Sequence, residues 1–324
     1  MNKILFFLFL ILSVSCGESE SIPDVKILDT PIKIIRFDQL IFTQSSRDLA
    51  SVHPNYFDCY YNYILGFADI GDTIIDYYQQ FVQDTNIIHL HDSVELLYSD
   101  MSVVESEFTQ AFSFYQYYFP SFTIPRVYSC ISEFGPAAAT CDSATVSISL
   151  DMYLGENYPY YDDFEFPEYM QAKFRKEYIV PNAVKALVKN IQADSIGRRL
   201  IDYMVAEGKI LYIAHKILPY TADSLLLGQT GDDIKWLQEN EKPIWGFFIE
   251  NKLLFNTNYL ELRKYITDGP TTAGMPKESP GNVGSWVGYR IISQFMKRNP
   301  EVSITQLIAI TDGQKILSAS KYRP

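Results

Sequence analysis

Glu207 attracts attention because it interrupts the apolar stripe of a helix. The spacing predicts a helix over residues 195–218, with Leu200, Met204, Leu211 and Leu218 on one stripe. The opposite stripe, formed by Asp202, Lys209 and Lys216, is expected to face solvent. A buried carboxylate is rare unless it is paired, hydrogen-bonded or bound to metal. We therefore expect Glu207 to be largely buried and to meet a partner from another helix, in either a structural or a functional role.

The four histidines are the other side chains that could hold a metal. They are His53, His89, His91 and His215. His89 and His91 would lie on opposite sides of a helix or on the same face of a strand, and His215 lies at the edge of the Glu207 stripe. The chain contains no H-E-x-x-H, G-x-S-x-G, P-loop or Rossmann motif. The motifs thus predict no metal, no cofactor and no catalytic residue.

Three glycines with helical spacing indicate close packing between helices. Gly281, Gly284 and Gly288 would form a smooth face on a helix that begins with Ser279 as its N-cap and Pro280 in its first turn. They do not form a phosphate-binding loop. We expect a neighbouring helix to approach this face closely.

The spacing of the cysteines allows one disulfide but does not require it. Cys130 and Cys141 flank a short segment between two strand-like runs, and in an exported protein they could form a disulfide or stay reduced. Cys59 lies among aromatic residues and is expected to be a buried thiol. The spacing does not match a zinc ribbon.

The elements that must position these residues are mostly helices. Helical spacing is expected over residues 37–44, 55–65, 72–83, 93–117, 167–174, 180–191, 195–218, 223–227, 232–251, 258–266 and 279–297. Ser303 and Asp312 are expected to cap two short final helices. Residues 126–132 and 145–150 alternate and are β-branched, which suggests an antiparallel pair. The predicted fold is mainly α with a small antiparallel β-sheet, an α+β chain.

Composition limits the partners. The net charge is −12 and acidic residues are scattered, which disfavours binding to nucleic acid. Aromatic residues make up 15% of the chain, including 24 Tyr, in clusters that either fill the core or form a sugar-binding platform. The helical spacing of most clusters favours the core.

The N-terminus has the features of a bacterial lipoprotein signal. Lys3 precedes the apolar run from Ile4 to Leu12, which is too short to span a bilayer. Small residues then lead to Cys16, although an aliphatic residue three places before it is absent. We predict a signal peptide over residues 1–15, a lipid on Cys16, a tether over residues 16–21 and a single domain over residues 22–324. An ordinary secretory signal is the alternative.

A series of short motifs in a fixed order resembles the gliding motility lipoprotein GldB family of the Bacteroidetes. The motifs are Ile35-Arg36-Phe37-Asp38 with Phe42, Tyr118-Phe119-Pro120 with Pro125, Tyr153-Leu154-Gly155 with Tyr158-Pro159, Ile179-Val180-Pro181, Gly208-Lys209 with Tyr212, Ser279-Pro280-Gly281 with Gly284, Trp286-Val287-Gly288, and Ser318-Ala319-Ser320-Lys321-Tyr322. The resemblance implies a cell-envelope protein of the outer membrane that is needed for gliding and linked to type IX secretion. Its expected partners are the membrane, through the lipid, and proteins of that machinery.

That family is also distantly similar to predicted H-E-x-x-H zinc proteases. In this alignment Pro181, Asn182 and Lys185 stand where His, Glu and His would be, and Glu207 matches the third zinc ligand. The resemblance implies a degenerate zincin-like helical scaffold, a pseudo-peptidase kept for binding. It also implies that Glu207 points toward the helix that carries Asn182 and Lys185. The alternatives are a surface lipoprotein that binds glycans or proteins, and a zinc-dependent peptidase.

Overall fold

The structure is a computed structural model that describes residues 21–67, 74–192 and 197–324. The predicted signal peptide, Cys16 and all of the tether except Ser21 lie outside the described residues. Among those described, no helix combines the length and the apolar character needed to cross a bilayer.

Helices dominate the described chain, as the sequence predicts. They are α1 (Phe37–Thr43), α2 (Ser46–Val52), α3 (Pro54–Cys59), α4 (Ile74–Gln83), α5 (Thr85–Tyr98), α6 (Ser102–Tyr118), α7 (Tyr160–Asp163), α8 (Glu168–Gln171), α9 (Ile179–Ile191), α10 (Leu200–Ile217), α11 (Asp223–Leu227), α12 (Gly231–Glu239), α13 (Glu241–Glu250), α14 (Tyr259–Ile266), α15 (Val283–Arg298), α16 (Ile304–Ala309) and α17 (Gly313–Ser320). A π-helical turn covers Tyr60–Ile64, and 3-10 turns cover Leu150–Tyr153 and Lys176–Tyr178.

Local capping explains several of these boundaries. The hydroxyl of Ser303 accepts from the backbone N–H of Gln306 at the start of α16, and the Asp312 carboxylate accepts from the N–H of Gln314 at the start of α17. Both predicted caps are therefore confirmed. The helix predicted over residues 93–117 is instead two helices, because α5 begins after the cap Asp84 and ends before Met101.

The small sheet is mixed rather than purely antiparallel. Its strands are β1 (Ile34–Arg36), β2 (Arg126–Cys130), β3 (Ala138–Asp142) and β4 (Thr145–Ser149), in the order β1-β2-β4-β3. β2 is parallel to both β1 and β4, and β3 is antiparallel to β4. The predicted antiparallel pairing of β2 with β4 was wrong. The sequence A-A-T-C-D of β3 lacks a strand-like alternation, and this unrecognised strand reverses the chain before β4 begins.

The strand order also corrects the cysteine pairing. Cys130 lies on β2 and Cys141 on β3, with β4 between them, so their backbones are about 9–10 Å apart. A disulfide needs a Cα separation of roughly 4.4–6.8 Å. Cys141 is instead bonded to Cys59, with a Cα–Cα distance of 5.5 Å. The possible Cys130–Cys141 bridge does not form, and the prediction that Cys59 is a free thiol was wrong. Cys130 is the buried thiol, and burial raises its pKa to about 12.

Helix α10 lies at the centre of the helical part and is buried on nearly every side. It packs against α9, α15 and α17. The prediction that Asp202 and Lys209 face solvent was wrong, because the C-terminal segment with α16 and α17 covers that stripe. Asp202 is 2% exposed and Lys209 is 4% exposed. Lys216, nearer the end of α10, is half-buried.

Glycines allow α10 and α15 to touch backbone to backbone. A Cβ on Gly288 would overlap the carbonyl of Met204, and one on Gly208 would overlap Gly288 itself. Gly284 likewise faces the Tyr265 carbonyl, so the expected close approach is confirmed for Gly284 and Gly288. Gly281 lies before the helix, against the backbone of Gly269. The predicted start of the helix at Ser279 was wrong: α15 begins at Val283, after a turn.

Candidate functional site

A cavity of about 410 Å³ opens between α9, α10 and α11, and the chain between α14 and α15 closes one side. Its polar lining is formed by Lys173, Asn182, Lys185, Lys189, Glu207, Gln229, Asp268, Asn282 and Ser285. Its apolar lining includes Met170, Phe174, Tyr178, Ile210, Leu211, Leu226, Leu227 and Trp286. The volume lies within the range of small-molecule sites, roughly 300–1,000 Å³.

Lys185 supplies an ammonium to this cavity without a strong partner. Its Nζ donates one long hydrogen bond, 3.4 Å, to the carbonyl oxygen of Leu226. Burial lowers the pKa of Lys185 to about 8, although Asp268 and Glu207 favour the charged form and Lys173 opposes it. The desolvation of the charged ammonium is thus not fully compensated by the protein groups around it.

Glu207 shares the cavity with Lys185 and Asn182. Burial raises the pKa of its carboxyl, and the positive charges of Lys189 and Lys185 oppose that rise. Within the described chain, the carboxylate has no hydrogen bond and no cation within 4.0 Å. A direct Lys185–Glu207 ion pair, which would have taken the place of a metal, therefore does not form. The two charges attract one another across a gap.

The two remaining positions of the protease-like alignment behave differently from each other. The Asn182 amide lines the cavity and donates to the hydroxyl oxygen of Tyr153 at 3.1 Å. Pro181 is buried within the first turn of α9 and does not line the cavity. Three of the four positions thus meet at one place: Asn182, Lys185 and Glu207.

The rim of the cavity carries an ion pair that the sequence did not predict. Lys173 Nζ lies 2.8 Å from Asp268 Oδ2, and the Asn282 amide donates to Asp268 Oδ1 at 3.3 Å. Asp268 is therefore already engaged at the rim, more than 80 residues along the chain from Lys185. Lys189 could have been predicted, because it follows Lys185 by one helical turn on the same face of α9. Asp268 could not, because it lies in a loop.

A second cavity of about 320 Å³ adjoins the first and shares part of its wall. The shared residues are Lys173, Tyr178, Gly228, Gln229 and Asp268. The Gln229 amide also donates to the carbonyl oxygen of Gly281 at 3.0 Å, which ties α11 to the loop before α15. We call the two adjoining cavities the groove.

The histidines do not converge on this groove. His53 Nδ1 lies 3.2 Å from the Tyr128 hydroxyl, and His215 Nδ1 lies 3.5 Å from Asp223 Oδ1. On α5, His91 packs against Phe42 while His89 is exposed. Across the described ranges, no three His, Cys, Asp or Glu side chains come together as a metal site would require.

The aromatic clusters mostly fill the core. Tyr56, Tyr60 and Tyr61 are at most 2% exposed, and Tyr56 stacks on Tyr128 with ring centroids 3.8 Å apart. Tyr161 is fully buried as well. These rings contribute apolar burial and specific edge or stacked contacts. Single rings of the three clusters are exposed, namely Tyr63, Tyr117 and Tyr160.

Comparisons with known proteins give one family match. A family model described as gliding motility protein GldB matches residues 18–324, nearly the whole chain. No curated protein and no solved structure matches this chain.

Proposed function

Because the chain belongs to the gliding motility protein GldB family, we propose that it is a non-catalytic, lipid-anchored component of the gliding apparatus. In this proposal a lipid on Cys16 holds the folded body at the outer membrane of the cell envelope. The groove beside α10 then binds a ligand or a partner segment without hydrolysing it. Protein partners belong to the gliding machinery and to the type IX secretion linked with it.

The observation that carries the non-catalytic part is the chemistry of three side chains in the groove. A zinc peptidase needs two imidazoles and a carboxylate base near the metal. Here an ammonium, Lys185, and an amide, Asn182, face the cavity at two of those positions. An ammonium repels a divalent cation, and an amide cannot accept a proton from water at neutral pH. The groove is therefore suited to binding rather than to metal-assisted hydrolysis.

The lipid anchor is supported by the N-terminal sequence. A short apolar run, small residues and Cys16 follow one another in the order of a lipoprotein signal. Two or more acyl chains at one terminus give stable membrane attachment, whereas one chain does not. The body needs no membrane-spanning helix of its own if the lipid provides the attachment.

Elemental analysis and peptide hydrolysis test the non-catalytic proposal. The full chain, purified in detergent, should contain zinc far below one atom per molecule and should not cleave a mixed peptide library. An Asn182→Glu, Lys185→His double variant is the matched control, since both positions line the cavity and the two substitutions supply a carboxylate and an imidazole there. Stoichiometric zinc in the wild-type chain that disappears in Glu207→Ala, together with peptide cleavage, would refute the proposal.

Mass spectrometry tests the anchor independently. The N-terminal fragment from cell membranes should begin at Cys16 and carry acyl chains. Cys16→Ala should leave the protein uncleaved or free of the outer-membrane fraction. An unmodified N-terminus at any other residue would contradict lipidation without bearing on the groove.

A further inference from the structure

We infer that the cavity binds a small zwitterion of the amino-acid or short-peptide class, with its carboxylate at Lys185 and its ammonium at Glu207. This inference rests on the proposed binding role of the groove and names the chemistry of the ligand. It follows from two opposite charges that line one cavity: within the described residues Lys185 has a single long hydrogen bond, and Glu207 has none.

Lys185 has donor capacity to spare. An ammonium carries three N–H donors, and the only protein acceptor within reach in the described chain is the Leu226 carbonyl, at 3.4 Å. The nearest carboxylate group at the rim, Asp268, is already bonded to Lys173 and Asn282. A ligand carboxylate would therefore provide Lys185 with the acceptor that the protein does not.

The Glu207 carboxylate has acceptor positions that the described chain does not fill. A carboxylate offers about four acceptor positions, yet no donor of the described chain bonds to this one. Lys185 and Glu207 favour each other's charged forms, but their charged atoms stay more than 4.0 Å apart. Because the two charged groups line one cavity and are not bonded to each other, a ligand in that cavity can bond to both.

The remaining charges exclude simpler ligands. A plain anion near Lys185 would also face the carboxylates of Glu207 and Asp268. A plain amine near Glu207 would face the ammonium groups of Lys185 and Lys189, all of which line the same cavity. A ligand that carries both charges gains at each end, whereas a ligand of one charge is also repelled by the like charge that lines the same cavity.

The apolar wall defines the rest of the ligand. Ile210, Leu211, Leu226 and Trp286 line the same cavity as the polar side chains and are at most 9% exposed. They favour an aliphatic side chain between the two charged ends, since its burial is worth about 25 cal/mol per Å². A cavity of about 410 Å³ accommodates a ligand of two or three small residues.

Calorimetry with blocked peptides tests this assignment. The full chain in detergent is titrated with glycyl-leucine and glycyl-glycyl-leucine, which place the two charges at different separations. The N-acetylated form and the C-terminal amide of each peptide lack one charge apiece. At least one free peptide should bind, and each blocked form should bind at least tenfold more weakly.

Variants assign each charge to its end. Lys185→Met should remove the preference for a free carboxylate, and Glu207→Gln should remove the preference for a free ammonium. Lys242→Met and Glu250→Gln, on the exposed part of α13, should leave binding unchanged. No binding of either free peptide up to 10 mM (roughly the limit of a weak specific site), or equal binding of free and blocked forms, would overturn the inference. Release of free leucine during the titration would instead refute the non-catalytic proposal and leave the binding result intact.

Discussion

The charged side chains on the two sides of α10 differ in how many hydrogen bonds they make. On the side covered by the C-terminal segment, Asp202 accepts two hydrogen bonds from the Arg199 guanidinium at 2.8 Å and one from the Gly313 N–H at 3.1 Å. Lys209 on the same side donates to the carbonyl oxygens of Ile308 and Ile310. On the groove side, the half-buried Glu207 has no such partner among the described residues, and the half-buried Lys185 in the same cavity has one long bond.

This difference distinguishes charged groups that stabilise the fold from charged groups that are available to bind a ligand. A buried charge with every hydrogen bond made is part of the architecture, and removing one partner is costly. A buried charge without partners costs stability and persists only if something else compensates it. The comparison therefore predicts that removal of Asp202 destabilises the fold, whereas removal of the charge of Lys185 or Glu207 stabilises it.

Asp202→Ala should have the largest effect. The substitution removes the acceptor of the buried Gly313 N–H and two of the hydrogen bonds of the Arg199 guanidinium, which keeps only Asp312. The free energy of unfolding should therefore fall by about 3–5 kcal/mol. Urea denaturation followed by circular dichroism measures the loss. Asp233→Ala, at the exposed start of α12, is the matched control and should cost about 1 kcal/mol through loss of a capping interaction. An equal loss of unfolding free energy in the two variants would contradict the distinction between a buried network and a surface cap.

Lys185→Met should stabilise the protein at pH 7. The folded-state pKa of Lys185 is lowered from 10.5 to about 8, so the stability it contributes is present above pH 10.5 and is lost as the pH falls through 8. Removing the charge should therefore raise the free energy of unfolding at pH 7 by up to about 3 kcal/mol. The gain should shrink toward zero above about pH 10.5.

Lys209→Met tests whether that gain is specific to the groove. Burial also lowers the pKa of Lys209 to about 8, but its ammonium bonds the carbonyl oxygens of Ile308 and Ile310. The variant leaves those acceptors unpaired, at a cost of about 1–3 kcal/mol, which offsets the relief of a buried charge. Thermal melts at pH 7 should therefore show a higher Tm for Lys185→Met than for Lys209→Met. The reverse order would show that desolvation alone, and not partnering, decides the outcome.

Glu207→Gln should have the smallest effect. Burial raises the pKa of the Glu207 carboxyl, so its contribution to stability is present below about pH 4.5 and is lost as the pH rises. The neutral amide should raise the free energy of unfolding at pH 7 by about 1 kcal/mol or less, and should change nothing at pH 4. A loss of several kcal/mol at pH 7 would mean that Glu207 belongs to a structural network after all.

Local patterns predicted the helices and part of the site, whereas long-range packing decided the rest. Ser303 and Asp312 were identified as caps because capping depends on neighbours a few residues away. The solvent-facing assignment of Asp202 failed because α16 and α17, more than 100 residues later, cover that stripe. Strand β3 was not predicted for the same reason: it is a strand because it pairs with β4, and its own residues do not indicate one. Glu207 was found because a carboxylate in an apolar stripe is anomalous, but its lack of a partner could be seen only in three dimensions.

Gliding by cells that carry variant chains tests the central claim most directly. In cells that encode this protein, the native copy is replaced by the Lys185→Met, Glu207→Gln double variant or by the control Lys242→Met, Glu250→Gln. Immunoblots establish that both chains accumulate to the wild-type level, and single-cell speed on agar is then measured. The account predicts that the groove variant stops gliding although its fold is at least as stable as the wild type, while the control glides normally. Normal gliding by the groove variant would contradict the claim that these unpartnered charges serve the function.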